Sequence, residues 1–245
     1  MAKIKLDKYY TSPELAKYCV DKTKEIIGGD NITEYIEPSA GAGVFLDYLD
    51  KPYLAYDIKP EDKRIVRQDF LELELNYKKG RCIIGNPPYG RANCHLKKFY
   101  KKCIGICDYI VFIMPISQYK NNYELYDYDL IYSENLGIHK YSGVEKHCCL
   151  NIFKKPKAKK NKPKYNYRDI EIIGWRKAKT TDCDLYICCY GSSIGKFVEK
   201  DSKLVNINGI KIHSEKLKEK IVYVLKNADW CKEYPMMSTP NLLQW

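Results

Sequence analysis

Asn86-Pro87-Pro88-Tyr89 is the segment of this 245-residue chain whose residue types most directly offer chemistry. A short apolar run, Cys82-Ile83-Ile84, and Gly85 lead into it, and Gly90 follows. The prolines fix φ and remove two backbone donors, so the turn presents carbonyl acceptors. The Asn86 carboxamide oxygen and the Pro87 carbonyl can both accept from one NH2 group. Tyr89 can lie against the face of the ring that carries that group. The four residues read as a grip for an amino group on a planar ring.

A second set of residues implies the ligand beside that grip. Glu37 precedes a run of small residues, Pro38-Ser39-Ala40-Gly41-Ala42-Gly43. Ser39, Gly41 and Gly43 allow close backbone approach where a strand meets its helix. A dinucleotide fingerprint needs a third glycine that is missing here. An acidic residue before the loop favours a ligand with positive charge over a pyrophosphate. Asp57 is placed to accept from both ribose hydroxyls, and Ile58 to pack on an adenine face. Asp69 can accept from the adenine amino group, with Phe70 alongside. A cationic adenosine with an amino-acid tail satisfies all of these, which describes S-adenosylmethionine.

The elements that must position these residues follow from apolar runs and turn signals. Pro13 to Ile27 reads as a helix with Thr11 or Ser12 as cap and Pro13 in its first turn. Strands are expected at 34–37, 53–56, 65–66, 81–85 and 109–114. Helices are expected from Val44 to Leu49, from Cys94 to Ile106 and from Tyr119 to Tyr128. Two more strands fit 130–138 and 148–153. Alternating strands and helices predict an α/β fold, a Rossmann-like doubly wound sheet with ligands at the strands' carboxyl ends. Glu37, Asp57, Asp69 and Asn86 all fall at such ends. Further on, strands are expected at 169–175, 185–190 and 204–207, with a Gly-Ser-Ser-Ile-Gly turn at 191–195. Asn208-Gly209 is a hairpin signal. Ser214, with Leu217, Ile221, Val222 and Leu225 behind it, opens an amphipathic helix.

Charge divides the chain. Residues 1–150 hold 22 Lys/Arg against 21 Asp/Glu, and residues 151–245 hold 20 against 10. A neutral part beside a basic part predicts a catalytic domain over 1–155 and a smaller, basic α+β region over 156–245 that binds a polyanion. The stretch from Lys154 to Lys164 contains seven lysines and two prolines and reads as an exposed linker or basic loop. No run of eighteen apolar residues is present, so no membrane partner is expected. Met1-Ala2-Lys3-Ile4-Lys5 has no apolar stretch behind it, so no signal peptide is expected. The 11 cysteines contain no C-x-x-C pair, which argues for buried thiols in a reducing cytoplasm and against a metal site.

Taken in order, these motifs resemble the N6-adenine DNA methyltransferases whose cofactor motifs precede the catalytic motif and whose target-recognition region comes last. Lys8-Tyr9-Tyr10-Thr11-Ser12-Pro13-Glu14 is similar to that family's N-terminal cofactor motif. The resemblance implies that Tyr10 and Thr11 touch the methionine end of S-adenosylmethionine. Glu37 to Gly43, Asp57, Asp69-Phe70 and Asn86-Pro87-Pro88-Tyr89 match the later motifs, and Met114-Pro115-Ile116-Ser117 the segment after the fifth strand. Cys148-Cys149-Leu150-Asn151-Ile152-Phe153 loosely resembles the strand carrying an aromatic toward the target base, but Leu150 stands where that family often has Phe. The match covers about residues 8–155.

The resemblance implies methyl transfer to the N6 of an adenine flipped out of double-stranded DNA at a short recognition sequence. Lys154, Lys155 and Lys157 would hold phosphates. Arg168, Arg176, Asn206 and Asn208 are base-reading candidates by side-chain type. A cognate restriction endonuclease is a candidate companion, and the chain is expected to act as a monomer or homodimer. The same turn also serves methylation of RNA bases and of protein glutamine, whose acceptors present a planar NH2. A non-catalytic nucleic-acid-binding protein on a methyltransferase fold is the reading from another class.

Overall fold

The computed structural model describes residues 10–121, 124–141, 143–162, 169–188, 197–203 and 207–227. The chain divides into two compact units, Met1–Pro163 and Lys164–Trp245. The expected turn at 191–195, Arg168, Asn206 and the last fifteen residues lie outside the described residues.

The first unit is a seven-stranded sheet. Its strands are β1 (Glu34–Glu37), β2 (Tyr53–Asp57), β3 (Val66–Arg67), β4 (Arg81–Gly85), β5 (Tyr109–Pro115), β6 (Asp129–Tyr141) and β7 (Val144–Lys154), in the order β3-β2-β1-β4-β5-β7-β6. β1 to β5 run parallel, and β7 is antiparallel to both neighbours. Strand order reverses between β1 and β4, which opens a crevice above their carboxyl ends. The mixed α/β fold expected from the alternating pattern is present.

Period-two alternation explains why the central strands are apolar throughout. Tyr35, Cys82, Ile84, Val111 and Ile113 pack on one face, against Leu15, Ala16, Cys19 and Val20 of helix α1 (Pro13–Ile27). Ile36, Ile83, Ile110, Phe112 and Met114 pack on the other, against Leu96, Phe99, Tyr100 and Cys103 of helix α2 (Cys94–Cys103). A strand covered on both faces must be apolar at odd and even positions alike. Ser12 caps α1, its hydroxyl accepting from the Leu15 amide at 3.3 Å.

Several expected elements differ. Val44–Tyr48 is a 3-10 stretch instead of an α-helix. Strand β2 begins at Tyr53, so one tight stretch is all that fits. The expected helix over 119–128 is not formed among the described residues. There, buried tyrosine hydroxyls satisfy the backbone: Tyr100 donates to the Leu125 carbonyl at 2.8 Å and accepts from the Tyr128 amide at 2.9 Å. Tyr128 in turn donates to the Cys107 carbonyl at 2.6 Å. With these bonds made, the helical ladder has no advantage.

The second unit contains strands β8 (Ile170–Ile173), β9 (Leu185–Cys188) and β10 (Ile207–Ile212), antiparallel in the order β8-β10-β9, with helices α3 (Trp175–Ala178) and α4 (Glu215–Asn227). Asn208-Gly209 does not turn a hairpin. It lies inside β10, paired to Ile187 and Tyr186 on one side, with Gly209 opposite Ile173 on the other. A Cβ on Gly209 would collide with Cys183 Sγ, so the glycine serves close packing.

No helix among the described residues is long and apolar enough to cross a membrane. No group of three or more His, Cys, Asp or Glu side chains among them is placed to hold a metal.

Candidate active site

A cavity of about 630 Å³ opens at the carboxyl ends of β1, β2 and β4. It is lined by Glu37, Ser39, Gly41, Asp57, Ile58, Asp69 and Phe70, by Tyr10 and Thr11, and by Asn86, Pro87 and Pro88. Residues from both lobes of the sequence pattern therefore share one wall-to-wall space at the switch point.

The loop after β1 is held by Asp57. Its Oδ2 accepts from the Gly41 amide at 2.8 Å and its Oδ1 from the Lys59 amide at 2.7 Å. One lone pair on each oxygen stays available for a hydroxyl, as the ribose reading requires. Gly41 adopts φ +54°, a left-handed conformation that brings its amide round to Asp57, and the Tyr10 ring covers it. Gly43, at φ +79°, closes the turn with its amide on the Ala40 carbonyl at 2.7 Å. It does not line the cavity, so its role is in the loop's shape. Tyr10 reaches the cavity mouth, where its hydroxyl bonds Glu61.

Glu37 is the electrostatic centre of the wall. It is 2% exposed, and its Oε2 finds no hydrogen-bond partner. Burial, reinforced by the nearby Asp57 charge, pushes its carboxyl well above the usual range despite the opposing pull of Arg64. An orphaned buried carboxylate oxygen facing a cavity is suited to a ligand ammonium.

The far end of the cavity is apolar and flat. Ile58 is 48% exposed and lines it. Phe70 stacks on Phe99 with ring centroids 5.9 Å apart. Asp69 Oδ1 accepts from the Leu71 amide at 2.9 Å, which starts the 3-10 stretch Phe70–Glu72.

Asn86 extends from β4 into the cavity. Its Nδ2 donates to Thr11 Oγ1 at 3.2 Å, and its Oδ1 accepts from the Tyr89 hydroxyl at 3.0 Å. The carboxamide is thus held from both ends, with one Oδ1 lone pair left for a substrate N–H. Thr11 was expected at the methionine end of a ligand; it is also an Asn86 partner. Tyr89 departs from its expected role. Its ring packs against the core beneath α1, its hydroxyl lies 3.6 Å from Cys148 Sγ, and it does not line the cavity. Burial holds the phenol far above its usual range. In this arrangement it orients Asn86 and stacks on nothing in the cavity.

The lysines expected to hold phosphates lie, within the first unit, at the end of the sheet opposite the cavity. Lys154 pairs with Tyr109, the first residue of β5, and the Lys155 amide bonds the Asp108 carbonyl. The cavity opens at the other end of the parallel strands, one strand length, about 20 Å, away. Lys155 Nζ stands over the Tyr77 ring at 3.6 Å. Lys157 is exposed just beyond them. These three lysines do not flank the Asn86 turn, because antiparallel β7 carries the chain back across the sheet before the basic run starts. Arg176, in the second unit, is exposed with its guanidinium 5.3 Å from the Trp175 ring.

Gln68, His95, Lys98 and Phe99 also line the cavity and were not singled out from the sequence. A signal existed for the α2 residues: His95, Lys98 and Lys102 recur at helical spacing on one face. Gln68 had none.

No family model matches the chain. No curated protein matches it either. Solved structures do resemble it. A provisionally assigned RNA methyltransferase of Pyrococcus horikoshii aligns over 63% of this chain and 90% of its own, at 16% identity and a TM-score of 0.50. A provisionally assigned class I S-adenosylmethionine-dependent methyltransferase of Listeria monocytogenes covers 66% of this chain and 65% of its own, at 12% identity and 0.47. The tRNA m1G37 methyltransferase of M. jannaschii covers 63% of this chain and 54% of its own, at 19% identity and 0.43. The first of the three reaches the similarity that establishes a shared fold, and fold is what it establishes: the first unit is built as a Rossmann-like methyltransferase sheet.

Proposed function

We propose that this protein transfers a methyl group from S-adenosylmethionine to the N6 amino group of an adenine extruded from DNA. The observation that carries the reading is the pairing of two features in one cavity: a carboxamide acceptor fixed at the end of β4, and a buried, partnerless carboxylate at the end of β1.

The donor set fits the cofactor. Glu37 suits its ammonium, Asp57 its ribose hydroxyls, Asp69 its adenine amino group, and Ile58 and Phe70 the adenine faces. When bound, S-adenosylmethionine supplies an electrophilic methyl carbon on a sulfonium. The chain's own residues do the rest. Asn86 Oδ1 and the Pro87 carbonyl accept from the two N6 protons, which localises a lone pair otherwise delocalised into the ring. As that lone pair formed the N–C bond, the methyl–sulfur bond would break with its electron pair returning to sulfur, the neutral thioether S-adenosylhomocysteine would leave, and one N6 proton would pass to water. Thr11 and Tyr89 keep the carboxamide from rotating away. Proximity and orientation account for most of the acceleration, because the reaction needs no protein nucleophile.

A second reading differs only in the polymer. The Pyrococcus horikoshii protein of the same fold is assigned to RNA, and an amino group on an RNA base fits the same grip.

Labelled methyl transfer to duplex DNA, RNA and protein, followed by nucleoside analysis, tests the proposal. N6-methyladenine in DNA is the expected product. Label found in RNA alone moves the substrate to the second reading, and label found in protein alone or nowhere rejects both.

A further inference from the structure

The neutral charge of residues 1–150 conceals a strongly one-sided segment. Between Cys82 and Cys107 there is no Asp or Glu, but there are Arg91, Lys97, Lys98, Lys101 and Lys102. This segment begins in β4, passes through the Asn86 turn and becomes α2.

Helix α2 sorts its cations by face. Leu96, Phe99, Tyr100 and Cys103 form the buried stripe against the sheet. Lys97 and Lys101, one turn apart, pair with Glu124 at 2.8 Å and Asp127 at 2.6 Å, so that flank is neutralised. The opposite flank is different. His95 and Lys98 line the cavity, and Arg91 is exposed five residues beyond Asn86. Arg91 and Lys98 have no ion pair among the described residues. His95 and Lys98 thus bring nitrogen-bearing side chains to the cavity from α2, in a segment with no carboxylate of its own, while the carboxylates of Glu37, Asp57 and Asp69 come from the ends of other strands.

We propose that Arg91, His95 and Lys98 form the surface that holds the nucleic-acid backbone beside the extruded base. The proposal rests on the methyltransferase reading and names where its polymer docks. A cation-bearing cofactor is drawn to the acidic wall and gains nothing from Lys98 and Arg91. A phosphodiester strand delivering a base to Asn86 must cross the segment that follows the Asn86 turn, and there it meets these two cations. The lysines at 154–157, a strand length away at the other end of the sheet, cannot serve those phosphates.

The test is fluorescence anisotropy of labelled oligonucleotides, single-stranded DNA, duplex DNA and RNA, measured against salt with the full chain. Arg91→Ala/Lys98→Ala is compared with Lys154→Ala/Lys155→Ala/Lys157→Ala, and S-adenosylhomocysteine binding is followed by calorimetry. Loss of two phosphate contacts should weaken oligonucleotide binding about ten- to a hundredfold and lower the slope of log K against log salt by about 1.5 to 2. Cofactor affinity should stay within twofold, and Arg91→Lys/Lys98→Arg should restore binding. The triple variant should keep the salt slope found for the cavity-side contacts in the best-bound polymer. An unchanged slope in the double variant overturns the proposal, as does a wild-type chain that binds none of the three polymers, or a cofactor affinity that falls in step with the oligonucleotide's. Salt-dependent binding lost in the double variant, with no methyl transfer to any polymer by the wild type, sustains the docking surface and rejects the catalytic reading.

Discussion

Tyr89 donates its hydroxyl proton to Asn86 Oδ1 across 3.0 Å, which makes the last residue of the Asn-Pro-Pro-Tyr turn a brace for the first. Asn86→Ala should lower kcat about 10²–10³-fold, the scale of losing one aimed polar group at a reacting centre. Cofactor binding should persist. Tyr89→Phe keeps the ring in its core position and removes only the brace. It should lower kcat about tenfold with KM for nucleic acid unchanged. A raised KM at constant kcat would instead mean that the hydroxyl contacts the substrate.

Glu37 sets a pH dependence. Its carboxyl is raised by burial and by Asp57, so the folded chain favours the protonated form. An ammonium ligand favours the ionised form, so binding releases a proton and tightens as pH rises toward the raised value. Calorimetric titration with S-adenosylhomocysteine from pH 5.5 to 7.5 should show this, and Glu37→Gln should weaken binding and flatten it. The same burial acts on stability with a defined sign. The group's contribution is intact below the ordinary carboxylate pKa and is lost as pH rises toward the folded value. Glu37→Gln should therefore gain about 1–3 kcal/mol at neutral pH in urea unfolding.

Arg81 and Glu34 form a buried pair at the start of β4 and β1, with Arg81 Nε 2.7 Å from Glu34 Oε2. Arg81 also donates to the Asn76 carbonyl at 2.7 Å and the Ile106 carbonyl at 3.1 Å. Arg81→Met leaves those two carbonyls unpaired and Glu34 with Lys78 as its ion-pair partner, at 2.7 Å, and should cost about 1–3 kcal/mol. Burial pushes the Glu34 carboxyl up, but hydrogen bonds from Lys78 and Arg81 outweigh it and hold the group below its usual range. The pair's contribution is present at neutral pH and is lost as pH falls through that lowered value. Acid unfolding of Arg81→Met should accordingly be shallower than that of the wild type.

Gly209 has no room for a side chain. Gly209→Ala places a methyl against Cys183 Sγ and should destabilise the second unit by about 1–3 kcal/mol. Cys183→Ala added to it should recover part of the loss, as a double-mutant cycle in thermal unfolding will read directly.

One wall of the cavity was legible in the chain because its polar residues sit at or just beyond the ends of their strands. Glu37, Asp57, Asp69 and Asn86 follow apolar runs, and parallel strands bring their carboxyl ends to one edge whatever the loops do. Asn208-Gly209 misled for the opposite reason. A glycine suits both a tight turn and a crowded strand, and only the neighbour, Cys183, distinguishes them. The helix expected over 119–128 failed similarly, since Tyr100, from far along the chain, takes up the Leu125 carbonyl and the Tyr128 amide.

What the amino-acid sequence by itself determined is the α/β alternation and the set of polar residues that end its strands, because apolar runs and the turn residues that stop them are local properties. Tertiary structure alone decided which cations stand near that edge. Lys154 ends β7 and Lys155 follows it, but β7 runs antiparallel and delivers them to the end of the sheet opposite the cavity. Arg91 and Lys98 sit in a segment that net charge made unremarkable, yet packing of α2 on the sheet and the capture of Lys97 and Lys101 by Glu124 and Asp127 leave their flank free beside Asn86. Direction of a strand and pairing of a charge are properties of neighbours in space, and no linear pattern states them.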